Sequence, residues 1–173
     1  MEFTNLIHER YSVRKYSNKP VEKEKLEKIV DAQNFAPTAV NLQPQKIFVV
    51  QGTEDMNKLK LASRNNFGAP AALIVGYDAR LAGGPHPMTG KHDVGAVASA
   101  TVATYMILEA WNQGVGSCWY ETFNHDYLKQ LFDLPAWFEP MHLVMLGYPA
   151  EDAKPYAPWH NVYKPTEELV TYL

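Results

Sequence analysis

Arg10-Tyr11-Ser12-Val13-Arg14 puts two guanidiniums and a hydroxyl at alternate positions near the start of the chain. Along an extended segment, residues i, i+2 and i+4 face the same side. Arg10, Ser12 and Arg14 would then aim several donors at one anionic group. A phosphate or the edge of a flavin suits that trio, because a guanidinium presents a planar fork to anionic oxygens. A solvated basic patch beside Glu9 is the alternative reading of the same residues. Other chemistries have less to work with. The sequence has no Gly-x-Ser-x-Gly, no Gly-x-x-x-x-Gly-Lys-Ser/Thr and no Gly-x-Gly-x-x-Gly. Its single cysteine, Cys118, has no evident base beside it and reads as packed on a strand. His86, His92 and Asp93 straddle a Pro/Gly loop and a helix start, so no metal site is expected from them. His8, His125, His142 and His160 are scattered and read as hydrogen-bonded structural or surface residues.

These residues need a folded frame. The chain has 173 residues, 46% of them hydrophobic and 20% charged, with a formal net charge of −3. That composition argues against disorder, and the length suits one domain over 1–173. The small acidic excess argues against a general nucleic-acid binder. One cysteine excludes an intrachain disulfide framework. The charged N-terminus does not resemble a signal peptide. The apolar segment Val94 to Leu108 falls short of the ~20 residues that span a bilayer. A soluble, cytoplasmic protein is the resulting expectation.

Helical spacing predicts a short helix over Leu6 to Arg10 with Thr4 as a possible cap, and another from near Pro20 carrying Leu26, Ile29 and Val30. Thr53 can cap a helix running to about Ser63, Asp93 one that ends at Gly114, and Asn124 or Asp126 one that ends near Asp133. Ile47–Val50, Ala71–Tyr77, Val115–Tyr120 and Met141–Tyr148 read as strands. Strands separated by helices imply an α/β layered domain, and runs such as Leu73-Ile74-Val75 imply strands covered on both faces. Residues 36–44 and 79–92 read as loops. Gly95, Ala96, Ser99, Ala100 and Ala103 form a small-residue stripe that lets another helix approach, from the same chain or a twin. The arm 150–173 lacks a clear period but carries Tyr156, Trp159, Tyr163 and Tyr172, which need a surface to cover.

Several segments, in order, resemble the FMN-dependent nitroreductase family. They are Arg10-x-Ser12-x-Arg14-x-Tyr16, Ala36-Pro37-Thr38-Ala39-Val40-Asn41-Leu42-Gln43-Pro44, Asp93-x-Gly95-Ala96, Gly114-Val115-Gly116-Ser117-Cys118-Trp119, Leu146-Gly147-Tyr148-Pro149 and Lys164-Pro165-x-Glu167-Glu168-Leu169-Val170. The resemblance spans nearly the whole chain. It implies a three-layer α-β-α sandwich with a mixed, mainly antiparallel sheet. It also implies a homodimer with exchanged termini and FMN at the interface. Arg10 and Ser12 would hold the phosphate and ribityl end, with Arg14 by the pyrimidine edge of the ring or the ribityl. Pro37, Thr38, Ala39 and Asn41 would line the ring from the other subunit. Asn65 lies near the family's flavin-contacting Asn. Gly116, Ser117, Cys118 and Trp119 would pass behind the ring, and Lys164 would reach the phosphate.

The implied chemistry is flavin-borne. NADH or NADPH would deliver hydride to flavin N5 and leave. A nitroaromatic, quinone or similar small acceptor would then take the electrons in a ping-pong cycle that needs no protein nucleophile. Arg14 is the candidate flavin-tuning cation. Leu81 to Met88 would form an abbreviated rim to the site. Two alternatives remain on sequence grounds: an FMN-binding or storage protein of the same fold with little turnover, and a non-enzymatic interaction module.

Overall fold

The computed structural model describes residues 1–84 and 90–173. The element order is α1 (Phe3–Glu9), α2 (Lys23–Asp31), β1 (Gln45–Gln51), α3 (Thr53–Ala62), β2 (Ala71–Asp78), α4 (Ala79–Ala82), α5 (Val94–Asn112), β3 (Gly116–Tyr120), α6 (His125–Leu131), β4 (Phe138–Gly147) and α7 (Thr166–Leu169). Short 3-10 turns cover Ala32–Phe35 and Ala39–Asn41.

The four strands lie in the order β1-β2-β4-β3, and every neighbouring pair is antiparallel. A parallel element enters through the isolated bridge between Ser12 and Ser117. Side chains alternate across the sheet, as a period of two requires. Leu73, Val75, Val144 and Leu146 join a core with Leu26 and Ile29 of α2 and Val102, Met106 and Ala110 of α5. Ala72, Ile74, Leu143 and Met145 join the opposite core with Met56 and Leu59 of α3 and Leu128 of α6. The result is a helix-sheet-helix arrangement in which β2 is buried along its whole length, as the expected two-sided cover demands.

Helix α5 has the length and hydropathy that could cross a membrane, but eight of its residues are buried. The fold uses it as a core helix. Its start is fixed by Asp93, which accepts from the Ala96 N–H at 2.9 Å and from the Tyr77 hydroxyl at 2.9 Å. Gly95, Ser99 and Ala103 turn inward, so these members of the small-residue stripe serve intrachain packing. A Cβ on Gly95 would sit 2.3 Å from the Tyr77 ring. Gly114 ends the segment with φ +71, a left-handed conformation that suits glycine.

Strand bounds shift by up to three residues, β4 starting at Phe138 and β1 at Gln45, and four further differences from the sequence reading have a local cause. Helix α1 starts at Phe3, because the Leu6 N–H already bonds the Glu2 carbonyl, so Thr4 lies inside the first turn. Gly52, not Thr53, precedes α3, and its positive φ turns the chain out of β1. The 79–92 segment opens with α4, because Asp78 at the end of β2 caps it through the Arg80 N–H at 2.9 Å. The arm contains the single turn α7. The expected rim, Leu81 to Met88, lies partly outside the described residues.

Candidate functional site

The segment after α1 is extended and tied to β3. The Val13 N–H donates to the Ser117 carbonyl at 2.9 Å. Val13 is fully buried, and Tyr16 is buried with its hydroxyl on the Met145 carbonyl at 3.2 Å. Anchoring Val13 and Tyr16 inward leaves Arg10, Ser12 and Arg14 to line one cavity of about 280 Å³. The expected convergence of alternate residues therefore occurs.

That cavity also takes residues the sequence reading had not grouped. His8 comes from α1, and Tyr156, Trp159, His160 and Tyr163 come from the arm. Tyr156 and Trp159 meet edge to face with centroids 4.7 Å apart, and the Arg14 guanidinium lies 5.8 Å from the Trp159 ring. The aromatic content of the arm was the available signal. Which side chains it would cover could not be read from it.

The electrostatics are one-sided. Among the described residues, no Asp or Glu lines the cavity. Among the described residues, neither Arg10 nor Arg14 forms an ion pair, and the Arg14 guanidinium bonds only the nearby Ser12 carbonyl, at 3.3 Å. Burial pulls Arg10 below its ordinary pKa, the mark of a cation held without a counter-charge. Ser117 is fully buried beneath Ser12, and its Oγ has no hydrogen-bond partner among the described residues. Unpaired guanidiniums, a hydroxyl and flanking rings fit an aromatic ligand that carries a phosphate.

The remaining expected residues fall into three groups. Pro37, Thr38 and Ala39 line a separate, more apolar cavity of about 210 Å³ with His92, Val94, Val97 and Ala98. It shares no residue with the arginine cavity. Asn41 sits on the same turn with φ +55, after Val40 at φ +47, and its Oδ1 accepts from Gln43 Nε2 at 2.8 Å. A β-branched residue in that region is strained, a cost of about 1–3 kcal/mol. Gly116, Ser117, Cys118 and Trp119 lie on β3 next to the arginine segment. Burial pushes the Cys118 thiol up, although Arg14 and Arg10 oppose the shift, so the thiol stays neutral.

Asn65 and Lys164 do not line the arginine cavity. Asn65 is exposed and its Oδ1 accepts from the Phe67 N–H at 2.7 Å. Lys164 is exposed beside Tyr163, which does line it. No group of three or more metal-ligating side chains occurs among the described residues. His86 lies outside them, and Asp93 is occupied as a cap.

Comparison with known proteins decides the family. The profile of the Nitroreductase family matches residues 7–67 and 53–148. The chain belongs to the nitroreductase family. A solved nitroreductase family protein from Clostridium difficile 630 is 35% identical, with a TM-score of 0.89, over 99% of this chain and 98% of that one. An FMN-dependent nitroreductase from Clostridium difficile R20291 is 25% identical, with a TM-score of 0.75, over 94% of this chain and 98% of its own. A relative from Staphylococcus aureus named as an NADPH-dependent oxidoreductase is 26% identical, over 92% of this chain and 71% of its own. The nitroreductase fold accounts for the antiparallel sheet with helices on both faces.

Proposed function

We propose that this nitroreductase-family chain is an FMN-dependent oxidoreductase. It takes reducing equivalents from NADH or NADPH and passes them to nitroaromatic, quinone or similar small acceptors. One observation carries the reading: Arg10, Ser12 and Arg14 line a cavity that contains two guanidiniums and, among the described residues, no carboxylate. The names of the Clostridium and Staphylococcus relatives support the choice of FMN and of a nicotinamide donor.

In this reading Arg10 and Ser12 hold the phosphate, with His160 from the arm beside them and Lys164 available one residue beyond Tyr163. Arg14 lies toward the ring, where a cation favours the reduced form. Bound FMN would supply hydride transfer at N5. Cys118, buried and neutral, takes no part as a nucleophile.

The Pro37–Ala39 cavity and the arginine cavity are distinct on one chain. If both serve one flavin, they come from different copies, which supports a homodimer. The arm supports it too, because Leu169, Val170 and Tyr172 are exposed on a single chain.

The test is direct. Purified protein supplied with FMN should retain a yellow chromophore through gel filtration. Anaerobic NADH or NADPH should bleach it, and a nitro compound or quinone should restore the colour. A colourless protein in excess FMN refutes the reading. A yellow protein that neither nicotinamide bleaches points to FMN storage.

A further inference from the structure

Two histidines far apart in the chain border the arginine cavity. His8 sits in the last turn of α1, just ahead of Arg10. His160 lies on a turn of the arm, where its N–H donates to the Tyr156 carbonyl at 3.0 Å. Both line the same space of about 280 Å³ as Arg10, Ser12 and Arg14. The His160 ring is partly buried and meets Tyr11 edge to face, with centroids 6.2 Å apart. Tyr11 packs in turn on Trp111 of α5 at 5.3 Å. The arm therefore meets the arginine segment at His160.

The groups that face these two rings carry no negative charge. Arg10, Tyr11 and Arg14 approach from the extended segment, and Tyr156 and Tyr163 from the arm. Cys118, close enough to act on Arg10, is a neutral thiol. Among the described residues, neither imidazole has an acidic partner. An imidazole ordinarily changes charge near pH 6.5, and a phosphate monoester takes its second negative charge near pH 6. Above that range the cavity offers a dianion two fixed cations and two neutral rings. A phosphate placed among them favours the imidazolium form of each ring, because a nearby opposite charge stabilises the charged state. In the empty cavity the two guanidiniums oppose the same charging.

We propose that His8 and His160 make cofactor binding proton-linked. They take up protons as the FMN phosphate enters and release them as it leaves. This rests on the FMN reading above and adds a regulation of the same site: FMN is held more tightly as the pH falls from about 8.5 to about 6.5. A ring that charges more readily in the complex contributes affinity that is complete below its free-state titration. That affinity is lost as the pH rises through its bound-state titration. Below about pH 6 the phosphate itself takes up a proton, and the gain levels off.

The test titrates FMN and riboflavin into the full-length protein, by flavin fluorescence, at about pH 6.5 and about pH 8.5. It compares the wild type with His8→Gln, His160→Gln, the double variant and His125→Gln, whose site lies outside the cavity. Glutamine keeps a hydrogen-bonding side chain but does not titrate. Wild-type FMN affinity should fall about tenfold across this interval, the equivalent of one pKa unit on one ring. Riboflavin, which has no phosphate, should show little change. Each single variant should lose part of the dependence and the double variant nearly all of it, while His125→Gln keeps it. Calorimetry at neutral pH in two buffers of different ionisation enthalpy counts the protons. The wild type should take up a fraction of a proton with FMN, and the double variant none.

Equal FMN affinity at both pH values, an equal dependence with riboflavin, or a double variant that keeps the wild-type dependence and proton uptake overturns the proposal while the FMN reading stands. Should the double variant fail to fold, the two single variants decide by the same criteria. If the wild-type protein binds no FMN at either pH, the FMN reading itself fails and takes the proposal with it.

Discussion

Arg10 and Arg14 are the residues on which the chemistry turns. Neither meets a carboxylate among the described residues, and both border one cavity. Arg10→Ala should weaken FMN about tenfold to a hundredfold, the range for losing a charge-assisted hydrogen bond of about 1.5–3 kcal/mol. Riboflavin affinity should change far less, because riboflavin has no phosphate. Parallel titrations with the two flavins check this; an equal loss for both would move Arg10 away from the phosphate. Arg14→Ala should lower the flavin midpoint potential by about 30 mV, the two-electron equivalent of about 1.4 kcal/mol. A dye-equilibration titration showing the wild-type potential would remove Arg14 from the tuning role. The alternation of Arg10, Ser12 and Arg14 was legible in the sequence because an extended chain has a fixed period. His160 was not, because nothing local says that residue 160 returns to residue 10.

At the scale of elements, α2 is pinned to the end of β4 by a polar clamp. The Tyr148 hydroxyl donates to Glu22 and accepts from Lys25, whose ammonium also reaches the Gln113 carbonyl at 2.8 Å. Lys19 lies 4.0 Å from the Tyr148 ring centroid. The Tyr148 hydroxyl, a backbone N–H and Lys19 together hold the Glu22 carboxyl down at about 2, against an ordinary value of 4.5. A carboxyl depressed on folding contributes stability that is complete above about pH 4.5. That contribution is lost as the pH falls toward 2. Tyr148→Phe should therefore flatten the acid limb of the stability curve between these values, with little change in slope near neutrality. Urea melts of both proteins across pH 2–7 measure it, and identical acid limbs would discount the clamp. Most elements were legible, because apolar periodicity marks both strands and helices. Helix α4 was missed because Asp78 reads as the end of a strand, and its capping bond to Arg80 exists only once β2 has placed it.

On the scale of the whole molecule, one chain leaves much apolar surface open. Val97 on α5 and Leu169 and Tyr172 in the arm are well exposed. Together with the two separate cavities, this predicts assembly of two copies. Sedimentation should give a dimer mass. Removing residues 162–173 should shift the species toward monomer and reduce FMN retention at the same time. A truncated chain that stays dimeric and fully loaded would show that the arm does not join the subunits. The Val40–Asn41 turn belongs to this scale as well. Its strained backbone holds Val40 almost fully exposed, and a second copy would give that conformation something to meet.

The sequence by itself determined the layered fold, the ordered family motifs and the alternation that unites Arg10, Ser12 and Arg14. The elements and the alternation are local in the chain, set by backbone periods of two and 3.6 and by capping residues, whereas the motifs carry a resemblance to the family. Only the tertiary structure decided that the aromatic arm lies over Arg14 and that Pro37–Ala39 open on a different cavity. It alone brought His8 and His160 to one cavity. Those outcomes depend on contacts between residues far apart in sequence, and they form only when both cores of the sheet have packed.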